Sequence, residues 1–181
     1  MKATRSPARD RVLNTATRLF YAEGVHTVGV DRIIAEAGVA KATFYHHYRS
    51  KDDLVCGYLE GQAALQRDAV QTLTGAPLDQ INAFFDLLGE VGCGPGFRGC
   101  PFLNAAAEYA DPAHPVRQVV DRYRRWFREF MAGLLREAGH RAPEATAGLL
   151  LILRDGIAVG SGIDDPVLVR AGIGTALRKI L

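Results

Sequence analysis

The sequence has no long apolar stretch and little cysteine. No run of about 18 uninterrupted apolar residues occurs, so no segment has the length of a membrane-spanning helix. The first ten residues carry three basic side chains and no apolar core, unlike an export signal. Cys56, Cys93 and Cys100 are an odd number of thiols, which does not suit a disulfide framework. These absences predict a cytoplasmic protein with reduced thiols and no membrane partner.

The sequence also lacks the residue patterns of metal and catalytic sites. The five histidines have no cysteine or carboxylate at a recognised ligand spacing, and the neighbours His46 and His47 cannot share one helix face. The segment Gly160-Ser161-Gly162 is not a nucleophile elbow, and the glycines of residues 92–99 lack the lysine of a phosphate loop. We therefore predict no cofactor, no metal ligand and no catalytic residue. A small-molecule enzyme or carrier is only a remote alternative.

Positive charge is concentrated in the first part of an otherwise ordinary chain. Of the 181 residues, 48% are apolar and 23% are charged, which is typical of a folded globular protein. Residues 1–51 hold nine Lys/Arg and four Asp/Glu, a net charge of +5, whereas the remaining residues hold 13 and 16, a net charge of −3. A basic segment of this kind either binds a polyanion or forms a solvated face or tail.

Apolar residues recur at helical spacing along the chain, and no alternating strand pattern is present. This spacing, with its glycine and proline stops, predicts an all-α fold of about nine helices. The predicted helices cover residues 8–23, 31–37, 41–47, 51–74, 78–91, 102–109, 116–138, 143–160 and 166–180. We interpret residues 1–52 as a helix-turn-helix domain of three helices and residues 53–181 as a helical body.

Residues 30–48 have the dimensions of a helix-turn-helix, in which two short helices flank a turn that contains glycine. In that motif the second helix enters a DNA major groove about 12 Å wide. Phe44 is spaced to anchor this helix, while Thr43, Tyr45 and the two histidines can hydrogen-bond phosphates or base edges. Helical hairpins with polar outer faces also occur in proteins that bind no DNA, and the spacing alone leaves this alternative open.

The run VDRIIAEAGVAKATFYHHYRSK, residues 30–51, resembles the DNA-binding domain of the TetR/AcrR family of repressors, and the resemblance covers about residues 8–58. It implies that Thr43 and Tyr45 touch the DNA backbone and neighbouring bases, that Lys41 and Ala42 face base edges, and that His47 and Lys51 bind phosphate. The full set of predicted DNA contacts is Thr27, Lys41, Ala42, Thr43, Tyr45, His46, His47 and Lys51.

The same resemblance implies a helical sensor body whose last two helices pair with a second copy in a four-helix bundle. Glycines recur through these two helices, and glycine inside a helix usually marks close backbone approach. A buried hairpin within one subunit is the alternative. A two-fold homodimer carries two reading heads about 34 Å apart or a multiple of it, which predicts an operator with inverted-repeat half-sites. The segment from Lys2 to Arg9 is a candidate arm along the DNA.

Aromatic residues of the sixth and seventh helices are candidates for an effector site. We expect a small, mostly apolar molecule to bind among Phe102, Asn104, Glu108, Tyr123, Trp126, Phe127 and Phe130 and to release the operator. The alternative is that these aromatics are simply core, as stripes at helical spacing usually are.

Two cysteines suggest a different input signal. Cys93 and Cys100 lie seven residues apart around a glycine-rich loop, where thiols can approach one another. A thiol-based redox-responsive DNA-binding regulator is therefore an alternative to a ligand-responsive one. Two unrelated reduced thiols are the simpler interpretation.

Overall fold

A computed structural model of the chain describes residues 6–181, and over those residues it consists of nine α-helices without a β-strand. The helices are α1 (Pro7–Glu23), α2 (Val30–Ala37), α3 (Lys41–His47), α4 (Lys51–Val70), α5 (Pro77–Gly92), α6 (Pro101–Glu108), α7 (Pro115–Glu137), α8 (Pro143–Gly160) and α9 (Pro166–Ile180). The predicted all-α class is confirmed. Within residues 6–181, no helix combines the length and the apolar character needed to cross a membrane. Lys2 and Arg5 of the candidate arm lie outside the described residues.

Proline begins six of these nine helices, namely α1 and α5 through α9. Proline suits the first helical position because the N–H that it lacks would have no partner there and its φ is already helical. The periodicity predicts four of these helices to start one residue later, because it follows apolar side chains and not the proline before them.

The first of two compact units runs through Ala64 and also takes in Asn104–Val120. It contains α1, α2, α3 and most of α4, together with the end of α6 and the start of α7. Its fully buried apolar side chains include Val12, Ala16, Leu19, Val28, Ile33, Phe44, Leu54, Val55, Leu59 and Val116. The domain boundary predicted after residue 52 lies inside this unit.

The second compact unit comprises Leu65–Leu103 and Asp121–Leu181. Its core is formed by α5, α7, α8 and α9, with the fully buried side chains Ile81, Phe85, Phe127, Met131, Leu135 and Leu150. Gly89 allows α5 to approach α9 closely, since a Cβ at this position would come 2.9 Å from Ile173 Cδ1.

One apolar face of α8 and α9 is uncovered in the second unit. Its large side chains are Leu149, Ile152 and Val159 of α8 and Val167 and Leu168 of α9, with Ile163 in the loop between them, each at least 51% exposed. Within residues 6–181, no atom other than the neighbouring backbone of the same helix lies within 4 Å of a Cβ built on Gly148, Gly156 or Gly172. These three glycines therefore do not mark close packing inside the chain.

Candidate nucleic-acid interface

A tight turn sets the angle between α2 and α3. Gly38 has φ 61° and ψ 44°, the left-handed conformation that closes many helices. Its N–H bonds to Ala35 O at 3.2 Å, and the N–H of Val39 bonds to Ile34 O at 3.3 Å. Only Gly38, Val39 and Ala40 separate the two helices, so the start of α3 is held close to the end of α2.

Buried aromatic residues anchor α3. The helix has only seven residues, too few to be stable alone. Phe44 is fully buried and Tyr48, just after the helix, is 2% exposed. The guanidinium of Arg9 in α1 lies 5.3 Å from the centre of the Tyr48 ring, a favourable cation–π contact. The α3 helix is therefore stabilised by tertiary packing on its inner side, which leaves its outer side available.

The predicted DNA contacts lie in three parts of the first unit. Lys41, Ala42, Thr43, Tyr45, His46 and His47 are in α3, Thr27 is in the loop between α1 and α2, and Lys51 is the first residue of α4. All eight side chains are exposed or half-buried. Tyr45 is 46% exposed, and its ring stands edge-on to Phe44 with centroids 5.1 Å apart. Polar groups therefore face outward from α3 above an aromatic anchor.

The two lysines have different surroundings. Lys41 Nζ lies 3.1 Å from Asp31 Oδ1 at an exposed position, and this hydrogen bond raises the pKa of Lys41. Lys51 is half-buried, its Nζ donates to His26 O at 3.5 Å, and burial lowers the pKa of Lys51. To bind DNA, Lys41 would have to give up its ion pair with Asp31. Lys51 is already held beside the loop between α1 and α2.

Ser50 caps the start of α4. Ser50 Oγ accepts a hydrogen bond from Asp53 N at 3.1 Å, and Asp53 Oδ2 accepts one from Arg49 N at 3.0 Å. The first bond caps the helix, and the second holds the backbone one residue before the cap. Together they fix the backbone on which Lys51 lies.

An ion-pair network joins α1 and α2 on the surface. Arg18 Nη2 lies 2.5 Å from Glu36 Oε2, and Arg32 Nε lies 2.8 Å from Glu36 Oε1. Arg32 also binds both carboxylate oxygens of Glu23, at 2.6 and 2.8 Å. The hydrogen bonds from these arginines lower the pKa of both glutamates. The i,i+4 spacing of Arg32 and Glu36 is the one signal of this network that the sequence contains.

The corner between α6 and α7 contacts the α1–α2 loop and the start of α4. Glu108, the last residue of α6, accepts hydrogen bonds from Val25 N at 2.8 Å and from His26 N at 2.5 Å. The hydroxyl of Tyr109 donates to Asp52 Oδ1 at 2.8 Å, and burial together with this bond raises the pKa of Tyr109. The structure thus differs from the expectation that Glu108 faces the aromatic residues of α7, because backbone amides of a distant loop are the stronger partners of its carboxylate.

The remaining candidates for effector binding divide between the two units. Asn104 is exposed in the first unit. The aromatic cluster in the second unit consists of Phe102, Tyr123, Trp126, Phe127 and Phe130. Phe102 stacks on Tyr123 with centroids 3.7 Å apart, and Trp126 stacks on Phe130 at 5.9 Å. Trp126 and Phe130 are half-buried, whereas the other three rings are as buried as core residues.

A buried arginine that sequence reasoning missed lies against this cluster. Arg154 is 3% exposed, and its Nη1 donates to Asp155 Oδ1 at 2.7 Å. Its guanidinium carbon lies 5.0 Å from the ring centre of Tyr123 and 5.5 Å from that of Phe127. The pair Arg154-Asp155 at the end of the apolar run of α8 has no periodic signature, so only the tertiary structure reveals that the guanidinium of Arg154 lies against Cys100, Tyr123 and Phe127.

The two cysteines of the redox hypothesis have different neighbours. Cys100 is buried, and its Sγ lies 3.0 Å from Arg154 Nη2. Cys93 is half-buried, with its Sγ 3.9 Å from Pro166 O. The redox hypothesis stays a prediction, and a disulfide between these thiols would require Cys100 to leave Arg154.

Two family models match this chain. Residues 12–56 match the model described as bacterial regulatory proteins, tetR family. Residues 77–147 match the model described as tetracyclin repressor-like, C-terminal domain. The first match includes most of α1, the loop between α1 and α2, α2, α3 and the start of α4. The second includes α5, α6, α7 and the start of α8.

Relatives and solved structures with similar chains are also regulators. The HTH-type transcriptional regulator LmrA of Bacillus subtilis is 28% identical over 159 residues, which cover 83% of this chain and 84% of that protein. A TetR-family transcriptional regulator from Streptomyces coelicolor is 42% identical, with a TM-score of 0.88 over 97% of this chain and 95% of the other. The reduced form of Escherichia coli NemR shares the fold, with a TM-score of 0.83 over 97% of this chain and 95% of that one at 22% identity.

Proposed function

We infer, because this chain belongs to the TetR family of bacterial regulatory proteins, that it represses a promoter by binding an inverted-repeat operator as a homodimer. The family consists of DNA-binding transcriptional regulators and not of enzymes, so the enzyme or carrier alternative is set aside. One observation carries the proposal: the polar side chains of α3 are exposed or half-buried, while Phe44 on its inner side is buried.

In the proposed complex α3 lies in the major groove of each half-site. Lys41 and Ala42 meet base edges, where the methyl group of Ala42 can contact that of a thymine. Thr43 and Tyr45 bond the DNA backbone and neighbouring bases. A second group of contacts, made by Thr27, His46, His47 and Lys51, binds phosphates and holds the register. The exposure of these side chains supports the assignment.

The proposed dimer forms through α8 and α9. Five large apolar side chains on these helices, and Ile163 in the loop between them, are at least 51% exposed, and burying them against a second copy removes them from water. Open space beside Gly148, Gly156 and Gly172 supports close approach of a partner helix. We assign this face to a second copy of the chain, because an inverted-repeat operator requires two helix-turn-helix domains held at a fixed spacing.

The proposed effector is a small, mostly apolar molecule that binds at the aromatic cluster of the second unit. Regulators of this family bind small-molecule effectors. Trp126 and Phe130 are the half-buried members of the cluster and are the rings that a ligand can reach. An effector releases DNA only if its affinity differs between the two states of the protein, and a coupling of about 1–3 kcal/mol is typical.

Binding to duplex DNA from the region beside the protein's own gene tests the DNA-binding part of the proposal. We expect sequence-selective affinity that falls steeply with salt, because phosphate contacts release counterions. Lys51→Gln should weaken binding several-fold for every sequence and reduce the salt slope by about two, one phosphate contact per subunit. Fluorescence anisotropy over a series of salt concentrations measures both quantities.

Arg128→Gln is the matched control, since it removes one positive charge from an exposed position of α7. We expect its salt slope to equal that of the wild type. If Lys51→Gln and Arg128→Gln change the slope equally, Lys51 is not a phosphate contact. Equal affinity for the native and a scrambled duplex would reject an operator in this region.

A further inference from the structure

The loop between α1 and α2 forms a small anion site that is filled from within the chain. Gly24 ends α1 with φ 88°, which turns the backbone so that the next two N–H groups face one carboxylate. Glu108 Oε1 accepts from Val25 N at 2.8 Å, and Glu108 Oε2 accepts from His26 N at 2.5 Å. A Cβ on Gly24 would lie 3.4 Å from Glu108 Oε1, so glycine leaves room for the carboxylate.

Neighbouring contacts hold Glu108 at this loop. The Tyr109 ring lies between the rings of His26 and His114, with centroid distances of 5.0 and 4.6 Å. The Tyr109 hydroxyl bonds to Asp52 Oδ1 at 2.8 Å, and His114 Nε2 lies 3.4 Å from Asp52 Oδ2. The end of α6 is therefore tied to both the loop and the first turn of α4.

A cation from α7 fixes the same end of α6. Arg117 Nη1 lies 3.3 Å from Tyr109 O and 3.4 Å from Ala106 O, where the last carbonyl groups of a helix need donors. This contact limits how far Glu108 and Tyr109 can shift. We name Glu108, Tyr109 and Arg117 together the α6 clasp.

The α6 clasp holds the two segments that carry proposed phosphate contacts outside α3. Thr27 directly follows His26 in the loop, and Lys51 directly precedes Asp52 in α4. Lys51 Nζ also reaches back to His26 O at 3.5 Å. Thr27 and Lys51 can bind phosphates of one DNA backbone only if the loop and α4 keep a fixed separation, and the clasp bridges these two segments.

We propose that Glu108 is a positioning residue for operator binding: its carboxylate holds the α1–α2 loop to the end of α6, which Tyr109 ties to the start of α4, so that Thr27 and Lys51 meet the DNA backbone together. This inference rests on the proposed function. It assigns a favourable role in DNA binding to a negatively charged residue. Simple electrostatics predicts the opposite change in affinity, because removing a carboxylate from a DNA-binding protein should strengthen its binding to DNA.

Glu108→Gln tests the role without changing the size of the side chain. The amide oxygen can accept from only one of the two N–H groups, and the amide NH2 then faces the other. We expect operator affinity to fall about tenfold, the effect of losing a hydrogen bond to a charged acceptor. The salt slope should stay that of the wild type, whereas Lys51→Gln lowers it.

Glu129→Gln is the control for charge, because it removes a carboxylate from an exposed position of α7. We expect this variant to bind as tightly as the wild type or slightly more tightly. Operator binding by Glu108→Gln that matches Glu129→Gln would overturn the proposal. Failure of the wild type to prefer the operator would instead reject the proposed function, so the two failures are distinguishable.

Tyr109→Phe covers the case in which Glu108→Gln fails to fold, which circular dichroism detects. This variant keeps the ring and removes only the bond to Asp52. We expect operator affinity to fall about threefold at an unchanged salt slope, since a hydrogen bond that exchanges with water contributes modestly. Wild-type affinity in a folded Tyr109→Phe would count against the proposal, because the clasp would then have no effect on the reading of DNA.

Discussion

Gly38 sets the angle between α2 and α3 through one backbone conformation. Its φ of 61° lies in the left-handed region, where a residue with a Cβ is strained by about 1–2 kcal/mol. Apart from the adjoining backbone, no atom of residues 6–181 lies within 4 Å of a Cβ built there, so the strain is conformational and not a clash. We predict that Gly38→Ala lowers the free energy of unfolding by about 1 kcal/mol, measured by urea denaturation at a fixed protein concentration.

Gly133 supplies the matched comparison for Gly38. It lies inside α7, and a Cβ built there also meets nothing within 4 Å. The conformation here is helical, so alanine should raise the free energy of unfolding by about 0.5–1 kcal/mol. The two variants add the same methyl group, and effects of equal sign would contradict the conformational explanation.

At the scale of helices, the α1–α2 pair depends on Glu36, which Arg18 and Arg32 both bind. These hydrogen bonds lower the pKa of Glu36 from its usual 4.5, so the folded protein binds this proton less tightly than the unfolded chain. The resulting stabilisation is present above that usual value and is lost as pH falls through the lowered folded pKa.

We predict that Glu36→Gln lowers the melting temperature slightly at neutral pH, by about 1 °C, because the pairs are exposed. The difference from the wild type should shrink as pH falls below 4.5, where the unfolded chain takes up this proton, and should vanish below the lowered pKa of the folded protein. Thermal unfolding followed by circular dichroism between neutral pH and the acid limit of folding measures it. Glu90→Gln, at an exposed position of α5, is the control, and its melting temperature should not differ from that of the wild type in this pH-dependent way.

At the scale of the whole molecule, the uncovered face of α8 and α9 is what a homodimer would bury. Ile152 is 68% exposed, and placing a charge there would leave an unpaired carboxylate at the interface. We predict that Ile152→Asp is a monomer at concentrations where the wild type is a dimer, as measured by sedimentation. Its operator affinity should fall by orders of magnitude, because binding to both half-sites no longer occurs as one event.

Leu65→Asp is the control for the dimer prediction. Leu65 is 63% exposed in α4, away from α8 and α9 in the sequence, and a charge there should leave sedimentation unchanged. If Ile152→Asp is still a dimer, the dimer interface does not include this face of α8 and α9. A monomeric wild type that still binds one operator half would reject the homodimer.

Local patterns were enough to predict the helices and the DNA-reading motif. Apolar spacing around Phe44 and the glycine at position 38 each act within a few residues, and the structure has the corresponding anchor and turn. The resemblance to the TetR/AcrR family rests on the same run of residues. Helix starts were less predictable, because proline at the first position interrupts the apolar pattern without ending the helix.

Contacts between distant residues were decided only by the tertiary structure. Glu108 is 82 residues from His26 in the sequence, yet its carboxylate binds that residue's amide and not the aromatic rings of α7. Arg154 likewise contacts Cys100 and Tyr123, which lie outside α8 and far from it in the sequence. The sequence by itself determined the fold class, the family and the helix-turn-helix, because these depend on periodicity and short-range geometry. It could not determine which carboxylate fills the α1–α2 loop, since packing brings those groups together only after every helix is in its place.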